Sequence, residues 1–167
     1  MDVEITLSET TNPPPFEIQT ATWRDLKALH RLEVTCFDKD AWPIFDLMAV
    51  LTFPATVRFK AVVGEEMAGF ISGDIRRRQD VGWITSVAVM PAFRQRGIGS
   101  ALILACEQEL GVAKVKLCVR RSNASAQRVY QRMGYSRVDV WKGYYTDGED
   151  AFVYEKQLGG DHIIGEA

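Results

Sequence analysis

Residues 87–100 decide the reading of this chain: Val87-Ala88-Val89-Met90-Pro91-Ala92-Phe93-Arg94-Gln95-Arg96-Gly97-Ile98-Gly99-Ser100. The run from Val81 to Met90 is rich in β-branched residues and stops at Pro91, which predicts a buried strand. Gly97 to Leu110 predicts a helix halted by Gly111. A strand feeding a short loop and then a helix presents the free amides of the first helical turn, where partial positive charge gathers. Glycine at 97 and 99 removes the side chains that would screen those amides. Arg94 and Arg96 have the wrong sign for that helix end, and no Asp or Glu lies between Val81 and Cys106 to offset them. An anionic ligand such as a pyrophosphate resolves the conflict, and a solvated basic turn is the plainer alternative. Two familiar phosphate loops are excluded. Position 102 is Leu where a dinucleotide fingerprint has its third glycine, and no Gly-Lys-Ser/Thr follows as in a P-loop.

Outward from this stretch the periodicity alternates between two and 3.6. Phe16–Gln19 predicts a first strand. Thr22, three residues before Asp25, marks a helix start, and Leu26, Leu29, Leu32 and Cys36 recur at helical spacing. Trp42-Pro43 ends that helix, and Ile44–Leu51 predicts a second. Val57–Val63 and Met67–Asp74 predict strands joined by a turn at Gly64-Glu65-Glu66. Lys114–Arg120 predicts a strand with Val115, Leu117 and Val119 on one face. Asn123–Met133 predicts a helix closed by Gly134. Tyr135–Trp141 and Ala151–Gln157 predict two last strands around a turn at Asp147-Gly148. Helices interspersed among strands imply an α/β or α+β sheet with helices on its faces.

At 167 residues the chain has the length of one domain. The proline run Pro13-Pro14-Pro15 sets residues 1–15 apart as a lead-in. The folded unit is expected over 16–158, with a polar tail over 159–167. A formal net charge of -2 gives no reason to expect a nucleic acid partner. No apolar run has the length of a membrane span, and the first residues lack a basic segment followed by an apolar one. The three cysteines have no paired spacing, which suits reduced thiols in the cytoplasm. With two histidines, no metal site is expected.

The loop Arg94–Gly99, behind a strand ending in Val89, resembles the acetyl-CoA loop of the GCN5-related N-acetyltransferases (GNAT). The run Val119-Arg120-Arg121-Ser122-Asn123-Ala124-Ser125-Ala126, followed by Val129-Tyr130-Gln131-Arg132-Met133-Gly134-Tyr135, resembles the second conserved region of that superfamily. Leu32–Phe37, Trp42-Pro43 and Tyr144–Ala151 narrow the resemblance to RimI-like ribosomal-protein-alanine and other protein N-terminal acetyltransferases. The resemblance covers about 16–158. It implies one domain built on a twisted, mixed, mostly antiparallel sheet of about seven strands with helices on both faces.

The resemblance also implies roles for individual residues. Backbone groups of Val87, Ala88 and Val89 would pair with the pantetheine arm of acetyl-CoA along a splayed strand edge. Arg94, Gln95, Arg96, Gly97, Ile98, Gly99 and Ser100 would cradle the pyrophosphate. Asn123 would touch the cofactor arm, and its position alone also suits an N-cap. Tyr130 would assist the departing thiolate. Without the resemblance it would read as a core tyrosine, because Ala126, Val129, Tyr130 and Met133 share one helical face. Trp42, Tyr144 and Tyr145 would contact the acceptor, with the Asp38–Asp40 pair flanking them.

One position departs from the pattern. RimI-like enzymes carry a glutamate base on the strand before the Arg-x-Ser-Asn run, and Cys118 stands there in this chain. A thiol is a poor base and packs as a small apolar filler. Glu33 on the first helix is the substitute base, or else a solvated helix residue. The resulting expectation is acetyl-CoA-dependent acetyl transfer to the N-terminal amine of a protein or peptide, by direct attack in a ternary complex. Transfer to a small amine or a lysine side chain is the alternative, and a non-catalytic acyl-CoA-binding module is a second. A monomer or weak dimer is expected.

Overall fold

The computed structural model describes residues 15–159. The expected lead-in and tail fall almost wholly outside the described residues. Eleven elements of regular structure follow in order: β1 (Glu17–Thr20), α1 (Leu26–Phe37), α2 (Ile44–Thr52), β2 (Val57–Val63), β3 (Glu66–Arg76), β4 (Val81–Val89), α3 (Ile98–Leu110), β5 (Lys114–Arg120), α4 (Ala124–Arg132), β6 (Ser136–Trp141) and β7 (Ala151–Gln157). The seven strands make one sheet in the order β1-β2-β3-β4-β5-β7-β6. Only β4 and β5 run parallel. A parallel pair needs a crossover longer than a hairpin, and α3 provides it. The mixed, mostly antiparallel sheet expected from the sequence is therefore the one observed.

Each face of the sheet carries its own core. Leu29 and Leu32 of α1 and Leu47 and Leu51 of α2 pack on Met67, Phe70 and Ala88. On the opposite face Ile98, Leu102, Ile103, Cys106 and Leu110 of α3 pack on Ala68, Ile71, Ile84, Val115 and Leu117, and Tyr130 of α4 joins them. The strand period of two divides β5 between an apolar face and an open one. Val115, Leu117 and Val119 are buried beneath α3 and α4, while Lys116, Cys118 and Arg120 point the other way. Gly82 lets the end of α3 settle onto β4, since a Cβ there would stand 2.9 Å from a Leu110 methyl.

Most element bounds fall within a residue or two of the sequence reading. The exception is the first helix. Thr22 opens a single 3₁₀ turn, Trp23–Asp25, before α1 begins. The Asp25 carboxylate accepts the Thr22 N–H at 2.8 Å and holds Lys60 of β2 at 2.7 Å, so the turn is anchored to the sheet.

The feature that positions the site is a parting of the sheet. β4 and β5 pair from Val81↔Lys114 to Ile84↔Leu117 and no further. At that point the register between β3 and β4 shifts, with Ser72 opposite Ser86 but Gly73 opposite Ile84. Thr85 is the extra residue of a β-bulge, and a bulge bends its strand. Ser86 to Val89 stay paired to β3 while their other edge turns away from β5.

Candidate active site

A cleft of about 210 Å³ opens where β4 and β5 diverge. Phe37, Asp40 and Trp42 form one wall, Ser86 and Val87 the β4 side, and Cys118 and Arg120 the β5 side. Asn123, Ala126 and Tyr130 close the end nearest α4, and Tyr145 leans in from the β6–β7 loop. The splayed edge that the sequence reading requires of Val87, Ala88 and Val89 is present. Ala88 is buried against the α1 side, so its backbone alone faces a ligand.

The turn from β4 into α3 fits a phosphate-bearing group. Gln95 and Gly97 both adopt left-handed backbone, with φ of 62° and 79°. Gly97 caps α3, and a Cβ built on it would meet no atom within 4 Å. No side chain therefore screens the start of the helix at this position, as an anion cradle requires. Gly99 and Ser100 lie in the same first turn, which contains no acidic residue. Ile98 is different, because its side chain is 1% exposed and belongs to the core. The arginines also depart from the expectation. Arg94 donates from Nε to the Val89 carbonyl at 3.0 Å, and Arg96 stacks over Phe93 at 5.3 Å. Arg94 thus engages a carbonyl that the resemblance assigns to the cofactor arm.

Asn123 caps α4, its Oδ1 accepting the Ala126 N–H at 3.1 Å, and it lines the cleft as well. The N-cap reading is the one observed, and the cleft position leaves the side chain beside the path assigned to the cofactor arm. Tyr130 is 6% exposed and packs against Tyr135 and Tyr154 at centroid distances of 6.0 and 6.2 Å. Desolvation pushes its phenol well above the usual tyrosine value, helped by nearby Tyr145, and no hydrogen bond among the described residues holds the hydroxyl.

Glu33 is neither a solvated helix residue nor a lining group. Its side chain is 1% exposed, and it sits between α1 and the bent part of β4. Ser86 donates to Glu33 Oε1 at 3.1 Å, and the Trp42 amide approaches Oε2 at 3.4 Å. Desolvation raises the carboxyl above its ordinary value, and these two hydrogen bonds partly offset it. Because Ser86 lines the cleft, the carboxylate lies one hydroxyl away from it. Burial pushes the Cys118 thiol up to about 11, so it is protonated near neutrality.

Of the tyrosine pair, Tyr145 lines the cleft and Tyr144 stands outside it, tilted against Trp141 at 5.4 Å and 54% exposed. Gly148 closes the expected turn, its N–H donating to the Tyr145 carbonyl at 2.8 Å. The acidic pair offers no free charge at Asp40, whose carboxylate accepts from Arg120 Nε at 2.7 Å.

The acetyltransferase (GNAT) family model matches residues 20–135. The chain belongs to the GNAT family. It is 31% identical over 150 residues to the N-terminal acetyltransferase A complex catalytic subunit NAA10 of Arabidopsis thaliana, covering 86% of this chain and 78% of that one. The crystal structure of the ribosomal-protein-S18-alanine N-acetyltransferase from Escherichia coli superposes with a TM-score of 0.78 at 26% identity, covering 89% of this chain and 99% of that one. Arabidopsis thaliana NAA60, solved with acetyl-CoA, shares the fold with a TM-score of 0.77 at 20% identity, covering 87% and 100%.

In this GNAT acetyltransferase Ser86, Tyr130 and the aromatic side chains of Trp42 and Tyr145 line one cleft, and Glu33 lies behind Ser86. Two residues escaped the sequence reading. Thr85 and Ser86 are the two hydroxyls of an otherwise apolar strand, and that pair is the available signal. Arg120 passed as part of a motif, although four acidic or aromatic groups converge on it. Among the described residues no three metal-ligating side chains cluster, and no helix is long and apolar enough to cross a membrane.

Proposed function

We propose that residues 16–158 form a catalytic domain that transfers the acetyl group of acetyl-CoA to the N-terminal α-amine of a protein or peptide. The observation that carries this reading is the aromatic-walled cleft at the β4–β5 parting, lined by Ser86 and Tyr130, on the strand that leads into the acid-free left-handed turn at the start of α3. The N-terminal acceptors named for NAA10 and for the ribosomal-protein acetyltransferase support the choice of amine.

Acetyl-CoA, when bound, supplies an activated thioester. Gln95 to Ser100 hold its pyrophosphate with main-chain amides, and Val87 to Val89 offer backbone to its arm. Tyr130 keeps a proton on its hydroxyl for the departing sulfur. Ser86 takes a proton from the acceptor nitrogen and gives its own to Glu33 Oε1, which later loses it to solvent. Trp42 and Tyr145 flank the acceptor, and both nucleophile and donor are present together, so attack is direct. Free thiols at Cys36, Cys106 and Cys118 suit a reducing compartment, the cytoplasm.

The test is thiol release from acetyl-CoA with peptides of mixed N-terminal residues, beside polyamines, free amino acids and N-terminally blocked lysine peptides. Faster turnover of free N-termini is expected. A preference for blocked lysine peptides or small amines would overturn the acceptor assignment.

A second expected result concerns the cradle. Gly99→Glu places a carboxylate in the first turn of α3, where a Cβ makes only ordinary contact with Val89 at 3.7 Å. The helix dipole favours that charge, by about 0.3–1 kcal/mol, so the unliganded protein melts no earlier than its parent. The same charge repels a pyrophosphate, and calorimetric acetyl-CoA affinity falls by about tenfold or more. Unchanged affinity in the folded variant would remove the loop from cofactor binding.

A further inference from the structure

Arg120 ends β5 on the open face of the sheet and gathers segments far apart in the chain. Its Nε donates to Asp40 Oδ2 at 2.7 Å, and its Nη1 donates to Glu149 Oε2 at 2.6 Å and to both Asp147 oxygens at 3.1 Å. The guanidinium lies 4.0 Å from the centroid of the Tyr145 ring. A parallel tie links Lys39 to Asp147 at 2.5 Å. Asp40 belongs to the turn between α1 and α2 that also carries Trp42, and Asp147 and Glu149 belong to the β6–β7 loop that carries Tyr145. These two segments form facing walls of the cleft, and among the described residues the hydrogen bonds and ion pairs that join them run through Arg120 and the Lys39 tie.

We propose that Arg120 is a positioning residue for the acceptor: it locks the 38–42 turn and the 144–149 loop at a fixed separation, so that Trp42 and Tyr145 grip the acceptor's backbone above the Ser86–Glu33 pair. This rests on reading the cleft as the acceptor site. Stability alone explains the arrangement poorly. The apolar face of β5 is already packed beneath α3 and α4, and ion pairs as accessible to solvent as these add little to stability. The geometry does explain why the residue is arginine. A planar fork can serve carboxylates on two segments while stacking on a ring, and an ammonium cannot. Two cations face three carboxylates here, so removing Arg120 leaves acidic groups that push the walls apart.

The test compares parent, Arg120→Lys and Lys39→Ala, using an acceptor peptide that the parent turns over. Arg120→Lys should raise acceptor KM about tenfold while kcat stays within about threefold and calorimetric acetyl-CoA affinity within about twofold, as expected when uniform binding is lost. Lys39 is 60% exposed, so its alanine variant folds whatever the fate of the other. It should raise acceptor KM by about twofold and flatten the rise of KM with salt that the parent shows. A joint loss of kcat and acetyl-CoA affinity in Arg120→Lys would make the residue a general structural support and overturn the proposal. So would an unshifted acceptor KM and salt response in Lys39→Ala, should Arg120→Lys fail to fold. A parent that turns over no amine would overturn the functional reading itself, whereas an active parent with unmoved KM in both variants overturns this inference alone.

Discussion

Replacing Tyr130 with phenylalanine lowers kcat by about 10²-fold, the scale of a lost general acid, and leaves acetyl-CoA affinity within about twofold. The ring packs between Tyr135 and Tyr154, and phenylalanine keeps that packing. What is lost is one hydroxyl at the α4 end of the cleft. Desolvation holds that phenol protonated throughout the working range, so it is always a donor. A departing thiolate, whose free pKa is about 8.5, needs a donor more than a strong acid. No hydrogen bond among the described residues consumes the hydroxyl, so the variant gives up little folding energy and its Tm should match or exceed that of the parent. A kcat within a factor of two of the parent value would return Tyr130 to the core as ordinary packing.

The parts of this molecule that were legible in the sequence are those written in local pattern. The buried strand ending before Pro91, the glycine-opened α3 and the alternation of β5 each follow from periodicity and a stop signal. The burial of Glu33 was half legible. It follows Leu29 by four residues and so shares its face, but a carboxylate in that register reads equally as the edge of the stripe. The bulge at Thr85 was not legible, because a run of β-branched residues looks the same whether straight or bent. Nor was the Arg120 cluster. Its partners lie 80, 27 and 29 residues away, and no local spacing brings them together. Sequence pattern singled out the turn from β4 into α3, which one loop builds. It missed the cleft, which draws on segments distant in the chain that no local pattern joins.

Glu33→Gln is expected to lower kcat/KM by about 10²-fold at neutral pH and, at the same time, to stabilise the protein. The two effects share one cause. Burial raises the Glu33 carboxyl in the folded state above its ordinary value, so the unfolded chain ionises at lower pH than the native one. Between those two values the native state binds the extra proton, and stability falls as pH rises through that window. The penalty persists above it, at neutral pH, where a neutral amide in the same place escapes it while still accepting from Ser86. Tm of Glu33→Gln should therefore exceed that of the parent at pH 7 and approach it at acid pH, where both side chains are uncharged. Activity runs the other way. The parent gains a base as Glu33 ionises, and the variant depends on acceptor already deprotonated in solution. Its defect shrinks toward high pH, as the α-amine passes its own pKa of about 7.7–8.0. Cys118→Ala is the control that separates this route from a covalent one. With the thiol held protonated by burial, the alanine variant should keep kcat within about twofold, and acetyl-CoA alone should leave no acetylated protein. Parallel pH–rate profiles for parent and Glu33→Gln would remove Glu33 from the proton path and leave solvent as the acceptor. The gain in Tm would survive that outcome, because it depends on the burial of the charge and not on its use.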